Sequence, residues 1–568
     1  MQLHRLRPGE GFANEAFLVS EQGRARLLLD LLSESRANIR TGAARDLVES
    51  ERRLRGLLRA QAEYQLRLSL SGKDSSELTE VTKQLAQLRS DYEAVQAQLR
   101  EQIPRLFSFE QFAPVDLERI QRELRGTDTM LLEYALGDDH SYLWAITSHS
   151  SDSYMLPARK EIEDAAQELY KTLTARQGSD GQSEKEFQAN IPAADNLYFE
   201  KARNLSRMLL EPVAEKLGNR RLVVVTDGAL QYIPFEVLSA RFAQPAGPID
   251  ATPFLIKTNE VVVLPSASTL IAIRGAQNHK SSPGKLVAII ADPVFSSTDG
   301  RAKPETPPTS VAEAAVDQTP DQAEQQTVEN LRLARLAHAS EEADAISSVA
   351  PWRTTLVAKG FDASRETAMS PEVSQAQIVH FATHGFLDSE HPELSGIVLT
   401  MTDHNGAKTN GLMLLPDIYS LDLSAELAVL SACQTALGKD IKGEGLVGLT
   451  HSFMSAGAKS VVASLWNVDD RATAALMADF YEGMLQEGQT PAAALRSAKL
   501  KMISEKQWSA PYYWAGFVLQ GEYTNHIAVD RYRWLRRGLI LFFLLILIAA
   551  ALLIFQKRRR QIRPAQFT

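Results

Sequence analysis

The sequence predicts an α/β protein: a sheet covered by helices on both faces, with a helical hairpin before it and a transmembrane helix after it. Three observations support this. Before about residue 100, apolar side chains recur at spacings of three and four, the period of a helix. From about Thr127 the pattern changes to short apolar runs alternating with helical stretches, as in a helix-covered sheet. Near the C-terminus, Gly538 to Phe555 is an unbroken apolar run of 18 residues.

Residues 1–104 read as a helical arm. Arg24 to Ile39 sets Leu27, Leu28, Leu31 and Leu32 on one face. Leu78, Val81, Leu85, Leu88, Tyr92, Val95 and Leu99 form a heptad stripe, and Leu47, Leu54, Leu57, Leu58, Tyr64 and Leu68 supply a facing one. The turn Ser71-Gly72-Lys73-Asp74 lies between them, and Asp74 with Glu77 resembles an N-terminal cap. The result is an antiparallel hairpin, packed internally or continuing a helical-repeat array. A plain structural arm and a surface for a regulatory protein are both open readings.

Residues 127–290 read as the first part of the sheet. Met130–Leu136 and Tyr142–Ile146 flank Gly137-Asp138-Asp139-His140, a hairpin signal. Further strands are expected at Arg221–Thr226, Glu260–Pro265 and Lys285–Ile290, with helices at Glu161–Leu173 and Leu197–Leu217. Residues 296–328, rich in Pro, Thr, Ala, Gln and acids, predict a flexible loop. Structure resumes over residues 329–522 with a helix at Glu341–Val349, a strand ending at His384 and a strand ending at Cys433. A helix over Gly445–Ala456 closes at Gly457. Then come a strand at Ser460–Leu465, a helix at Arg471–Leu485, a helix opening at Thr490-Pro491, and a last strand at Trp514–Leu519.

As a helix, residues 538–555 span roughly 27 Å, close to the hydrocarbon thickness of a bilayer. Arg531, Arg533, Arg536 and Arg537 precede the run, a basic tail over 556–568 follows it, and Tyr532 and Trp534 suit an interface. The first residues carry no apolar signal-peptide region. The simplest topology is a single-pass tail anchor contacting membrane lipid, with the bulk of the chain in the cytoplasm. The flanking charges are nearly balanced and leave orientation unset.

Composition narrows the chemistry. The net charge of −9 gives no overall basic field for nucleic acid. The single cysteine, Cys433, rules out an intrachain disulfide and a multi-cysteine metal site, and no metal or cofactor is expected. Cys433 ends the apolar run Leu427-Ala-Val-Leu-Ser-Ala-Cys433, and His384 with Gly385 ends the run Ile378-Val-His-Phe-Ala-Thr-His384. Two parallel strands delivering both side chains to one sheet edge would make a catalytic dyad. A free thiol is only a few per cent ionised at neutral pH, so a neighbouring imidazole must take its proton. The amides of Gly385 and Cys433 are then placed to receive an oxyanion. His380 falls inside its strand and reads as a core or supporting histidine. An inert buried thiol and a polar loop histidine are the bland alternatives.

These runs, with Gly443-Glu444-Gly445-Leu446, Ala456-Gly-Ala458, Ser464-Leu-Trp466 and Pro511-Tyr-Tyr-Trp-Ala515, resemble the CHAT domain. So do Asp227-Gly228, Ile233-Pro-Phe-Glu236 and Leu264-Pro-Ser266. The resemblance covers about residues 127–522 and implies a caspase-like sheet flanked by helices, commonly appended to tetratricopeptide repeats. It implies a cysteine endopeptidase with His384 as base and Cys433 as nucleophile, and residues 127–290 as a pseudo-domain without a cysteine. In the related separases an acidic residue after a Leu-Trp strand end meets a basic side chain at the cleavage point. The similar stretch here, Leu465-Trp-Asn-Val-Asp469-Asp470, makes Asp470 a candidate substrate-binding carboxylate, with Asp469 close behind. An Asp before a helix is equally a cap. The resemblance leaves two alternatives to a peptidase acting on protein substrates: a non-catalytic scaffold that binds partner proteins at the membrane, and an acyl-transfer enzyme.

Overall fold

The computed structural model describes residues 1, 11–24, 50, 53, 54, 57, 75–102, 116–177, 184–242, 252–275, 284–302, 333, 335–386, 395–431 and 444–527. They lie in one compact unit, Met1–Ile527; the second unit, Ala528–Thr568, falls outside them.

Helices α1 (Phe12–Arg24), α2 (Ser75–Gln102) and α3 (Leu117–Glu123) come first. Then follow β1 (Thr129–Ala135), β2 (Ser141–Ile146), β3 (Ser151–Leu156), α4 (Arg159–Leu173), α5 (Glu184–Leu210), β4 (Arg221–Val225), β5 (Val261–Leu264), α6 (Ala267–Gly275) and β6 (Val287–Pro293). The later part holds α7 (Ala337–Val349), β7 (Thr355–Gly360), β8 (Ile378–Ala382), β9 (His384–Phe386), β10 (Gly396–Val398), β11 (Leu412–Leu414), β12 (Leu427–Leu430) and α8 (Glu444–Ser455). It closes with β13 (Ser460–Ser464), α9 (Asp470–Leu485), α10 (Pro491–Ser504), a helical turn at Pro511–Trp514 and β14 (Phe517–Gly521).

Among the described residues, eleven strands form one sheet in the order β3-β2-β1-β4-β5-β14-β13-β12-β8-β6-β7, and β11-β10-β9 form a second, small sheet. The central strands are runs of Val, Ile, Leu and Ala buried along their length, as expected of strands covered on both faces. Within the large sheet, β1, β4, β5 and β14 run parallel to one another, as do β13, β12, β8, β6 and β7. The two blocks meet at the antiparallel pair β13–β14. Their carboxyl ends therefore lie at opposite edges of the sheet. This helix-flanked mixed sheet fits the caspase-like architecture that the resemblance implies.

Polar clamps join the early and late parts of the chain. Lys499 on α10 lies 2.5 Å from the Glu236 carboxylate, with both side chains buried. Arg496 donates to the carbonyls of Ile256 and Lys257 at 2.8 and 2.9 Å. Arg274 on α6 reaches the Glu522 carboxylate beyond β14 at 2.6 and 3.1 Å. Glycines fix two of the motif turns. Gly228 has φ +55°, and a Cβ there would meet Glu163 Oε1 at 2.3 Å. Gly457 ends the α8 segment at φ +117°, where a Cβ would lie 2.2 Å from the Leu423 carbonyl oxygen.

The carboxyl end of the first block is occupied by α1. The Glu21 carboxylate accepts from the backbone amides of Ala267 and Ser268 at 3.0 and 2.7 Å, at the start of α6. The positive end of the α6 dipole favours this anion. Arg24 donates to the carbonyls of Thr226, at 2.9 Å, and Tyr134. Trp144 Nε1 donates to the Ala13 carbonyl at 3.0 Å, and its ring meets Phe17 edge-on at 5.8 Å.

Two expectations change against the structure. The transmembrane helix is corrected: no helix among the described residues is long and apolar enough to cross a membrane. The long helix α2 carries eight charged residues. The tail-anchored placement and the lipid contact are withdrawn with it; the run 538–555 lies outside the described residues. The helix read over Arg24–Ile39 lies outside the described residues beyond Arg24, which belongs to α1 and reaches carbonyls at the sheet edge. The last strand begins at Phe517, since Pro511 starts a helical turn that runs to Trp514. Ser296–Ala302, the described start of the loop read over 296–328, forms a turn in which Arg301 pairs with Asp299 at 2.7 Å, and the rest of that loop lies outside the described residues. Of the heptad stripe, Val81 and Leu85 are buried on α2. The Leu27–Leu32 face, nearly all of the facing stripe and the Asp74 cap fall outside the described residues.

Candidate active site

Strand β8 is wholly buried and lies between β6 and β12, parallel to both. Phe381 stands opposite Leu430, so the chains leaving β8 and β12 emerge side by side at one edge. After Ala382 the chain turns into the small sheet. Thr383 donates its hydroxyl to the Val398 carbonyl, and His384 becomes the first residue of β9, opposite Val398. Gly385 sits opposite Ile397. His384 thus lies at the junction between the two sheets, as the first residue of β9. Its side chain is 6% exposed.

The Phe295 ring packs on the His384 ring, with centroids 5.1 Å apart. Phe295 is directed there by the chain leaving β6, where Asp292 adopts φ +49°. The buried Asp292 carboxylate accepts from Arg335 at 2.7 and 2.9 Å and pairs with Arg301 at 2.9 Å. Those contacts stabilise a backbone conformation that costs a non-glycine residue about 1–3 kcal/mol.

On the other strand, Ser431 is described and buried. Cys433, two positions further, lies outside the described residues, as does its amide. The side chain of Glu444, on the glycine-rich stretch, also lies outside them.

Only one of the two aspartates after Trp466 caps the helix that follows. Asp469 is the N-cap of α9, its carboxylate accepting from the Ala472 amide at 2.9 Å. Asp470 opens the first turn without serving as that cap. Burial pushes the Asp470 carboxyl above its usual range; His338 and His384 pull it back, while Asp469 and Glu342 push it higher. Asp470 therefore shares an electrostatic neighbourhood with His384. The segment leading to it is fixed by aromatic contacts that account for two of the motifs. Trp466 Nε1 donates to the Tyr512 carbonyl at 3.1 Å, and the Tyr512 hydroxyl to the Asn467 carbonyl at 3.0 Å.

Sequence reasoning missed Phe295, His338 and Glu342. The last two lie four apart on α7, one face of a helix whose first turn was not anticipated. Phe295 had no signal beyond its place after β6. His380, read as a core histidine, is fully buried. Among the described residues no group of three or more His, Cys, Asp or Glu side chains is arranged to hold a metal ion.

The CHAT domain family model matches residues 200–522, more than half of the chain. This chain belongs to the CHAT domain family. Among curated proteins, the CHAT chain is 26% identical over 342 residues to tetratricopeptide repeat protein 28 of Mus musculus, covering 53% of this chain and 12% of that protein. The Homo sapiens protein of that name is 26% identical over 337 residues, with the same shares. The chain thus spans about an eighth of the length of these relatives. Among solved structures, the Saccharomyces cerevisiae separase–securin complex gives a TM-score of 0.44 at 8% identity, covering 71% of this chain and 30% of that one. The Arg-specific cysteine proteinase gingipain R gives 0.31 at 10% identity, covering 65% and 77%.

Proposed function

We propose that this CHAT protein is a cysteine endopeptidase acting on protein substrates, with His384 as base and Cys433 as nucleophile. The observation that carries the reading is the parallel pairing of β8 with β12, which sends the segments bearing His384 and Cys433 off one sheet edge. In the reaction, His384 takes the thiol proton as sulfur attacks the scissile carbonyl carbon. The amides of Gly385 and Cys433 receive the oxyanion, the protonated imidazole gives its proton to the leaving amine, and water then hydrolyses the thioester. Asp470 is the carboxylate that reads a basic side chain at the cleavage point. Burial pushes the Asp470 carboxyl up, and an approaching cation would favour its charged form.

The test is a peptide-library cleavage screen on the full chain. Cleavage after Arg or Lys that disappears in Cys433→Ala and loses its basic preference in Asp470→Ala supports the assignment. Cleavage that persists in Cys433→Ala overturns it.

A second reading is a scaffold that binds partner proteins without cutting them. The 6% exposure of His384 beneath Phe295 favours it, since a working base must meet substrate. The curated relatives are named for tetratricopeptide repeats, which supports a setting among protein partners under either reading. Helix α2 is the candidate surface for a regulatory protein.

A further inference from the structure

Three buried polar side chains meet at β8, the strand that leads into the candidate site. His380 sits in the middle of β8, opposite Ile289 of β6 and Val429 of β12, where an apolar side chain would pack without cost. Its Nδ1 lies 3.0 Å from the Tyr481 hydroxyl on α9, and the two rings meet edge-on at 5.5 Å. Its Nε2 lies 2.9 Å from Glu342 Oε1 on α7, within ion-pair distance though off the line of a good hydrogen bond. His380 and Tyr481 are fully buried and Glu342 is 3% exposed.

Such a group is a poor means of adding stability. Buried ionic and polar sets are often no better than well-packed apolar residues of the same volume. What they supply is direction, because each partner accepts only one geometry. Here the partners belong to three elements that each lead to the candidate site. His384 follows His380 by four residues along the chain leaving β8. Asp470 opens the helix that carries Tyr481. His338 lies one turn before Glu342 on α7.

Resting on the proposed peptidase reading, we infer that His380, Glu342 and Tyr481 form a positioning cluster that fixes α7 and α9 against β8 and so holds Asp470 in place relative to His384. None of the three touches substrate. The cluster sets preference for a basic side chain rather than the reactivity of the thiol.

The test compares two thiol-directed peptide electrophiles on the full chain, one with Arg and one with Leu at the cleavage position. Labelling of Cys433 is measured in wild type, Glu342→Gln, Tyr481→Phe, Asp470→Asn and His384→Ala, beside each thermal midpoint. Glu342→Gln and Tyr481→Phe keep side-chain shape, so both are expected to fold. The expected result is an Arg-to-Leu rate ratio lowered about fivefold or more in both, with Leu labelling within about twofold of wild type. Asp470→Asn should remove the preference altogether. If both rates fall together and the ratio stays constant, the cluster is merely structural and the inference is overturned alone. If labelling is indifferent to His384→Ala, the peptidase reading fails and the inference falls with it.

Discussion

Replacing Lys499 with Met should destabilise the protein in a way that depends on pH. Lys499 and Glu236 form a buried pair at 2.5 Å, with side-chain exposures of 0% and 7%. Removing one partner of such a pair typically costs about 3–5 kcal/mol, because the other charge is left in a medium that cannot solvate it. Burial already pushes Glu236 above its usual range, with Lys499 and Arg496 pulling it back; without Lys499 it rises further. A carboxyl whose folded pKa exceeds its unfolded value loses stability as pH climbs from the unfolded value toward the folded one. The deficit of Lys499→Met should therefore be small near pH 5. It should grow by at most about 1.4 kcal/mol per pH unit before reaching its plateau. The double variant Lys499→Met, Glu236→Leu removes both charges and should lie within about 1–2 kcal/mol of wild type at every pH. Urea unfolding followed by tryptophan fluorescence at pH 5, 6, 7 and 8 reads both. Equal, pH-independent losses in the single and double variants would refute the reasoning.

Two other perturbations follow from the fold. Gly457→Ala places a Cβ 2.2 Å from the Leu423 carbonyl oxygen at φ +117°. It should lower stability by more than about 1–3 kcal/mol, and an unchanged unfolding midpoint would contradict that turn. Glu21→Gln removes the charge at the start of α6 while keeping its shape. It should weaken three charge-assisted hydrogen bonds at about 1.5–3 kcal/mol each and speed amide exchange in residues 12–24 at least tenfold, whereas unaltered exchange would show that this carboxylate does not hold α1.

Much of the sheet was legible because its strands carry their own signal. Arg221–Val225, Ile378–Ala382 and Leu427–Leu430 are β-branched and apolar runs too short for helices, and all three are buried parallel strands. Thr490-Pro491 opens α10 as read, with the Thr490 hydroxyl accepting from Ala493. The aspartate pair held two readings at once, cap and pocket. The structure gives the cap to Asp469. Long-range placement was not legible. Nothing local announces that α1 fills the far edge of the sheet, or that Phe295 lies on His384, since both depend on the order in which strands pair. The reversal of direction at β13–β14 was equally hidden, being a property of two strands that meet only in the folded chain.

The central claim is that His384 takes the proton of Cys433, and the pH dependence of Cys433 alkylation by a small neutral reagent tests it most directly. In wild type the rate should rise well below the ordinary thiol pKa of about 8.5, and in His384→Ala the midpoint should return to that value or above. Superimposable profiles in the two proteins would contradict the account.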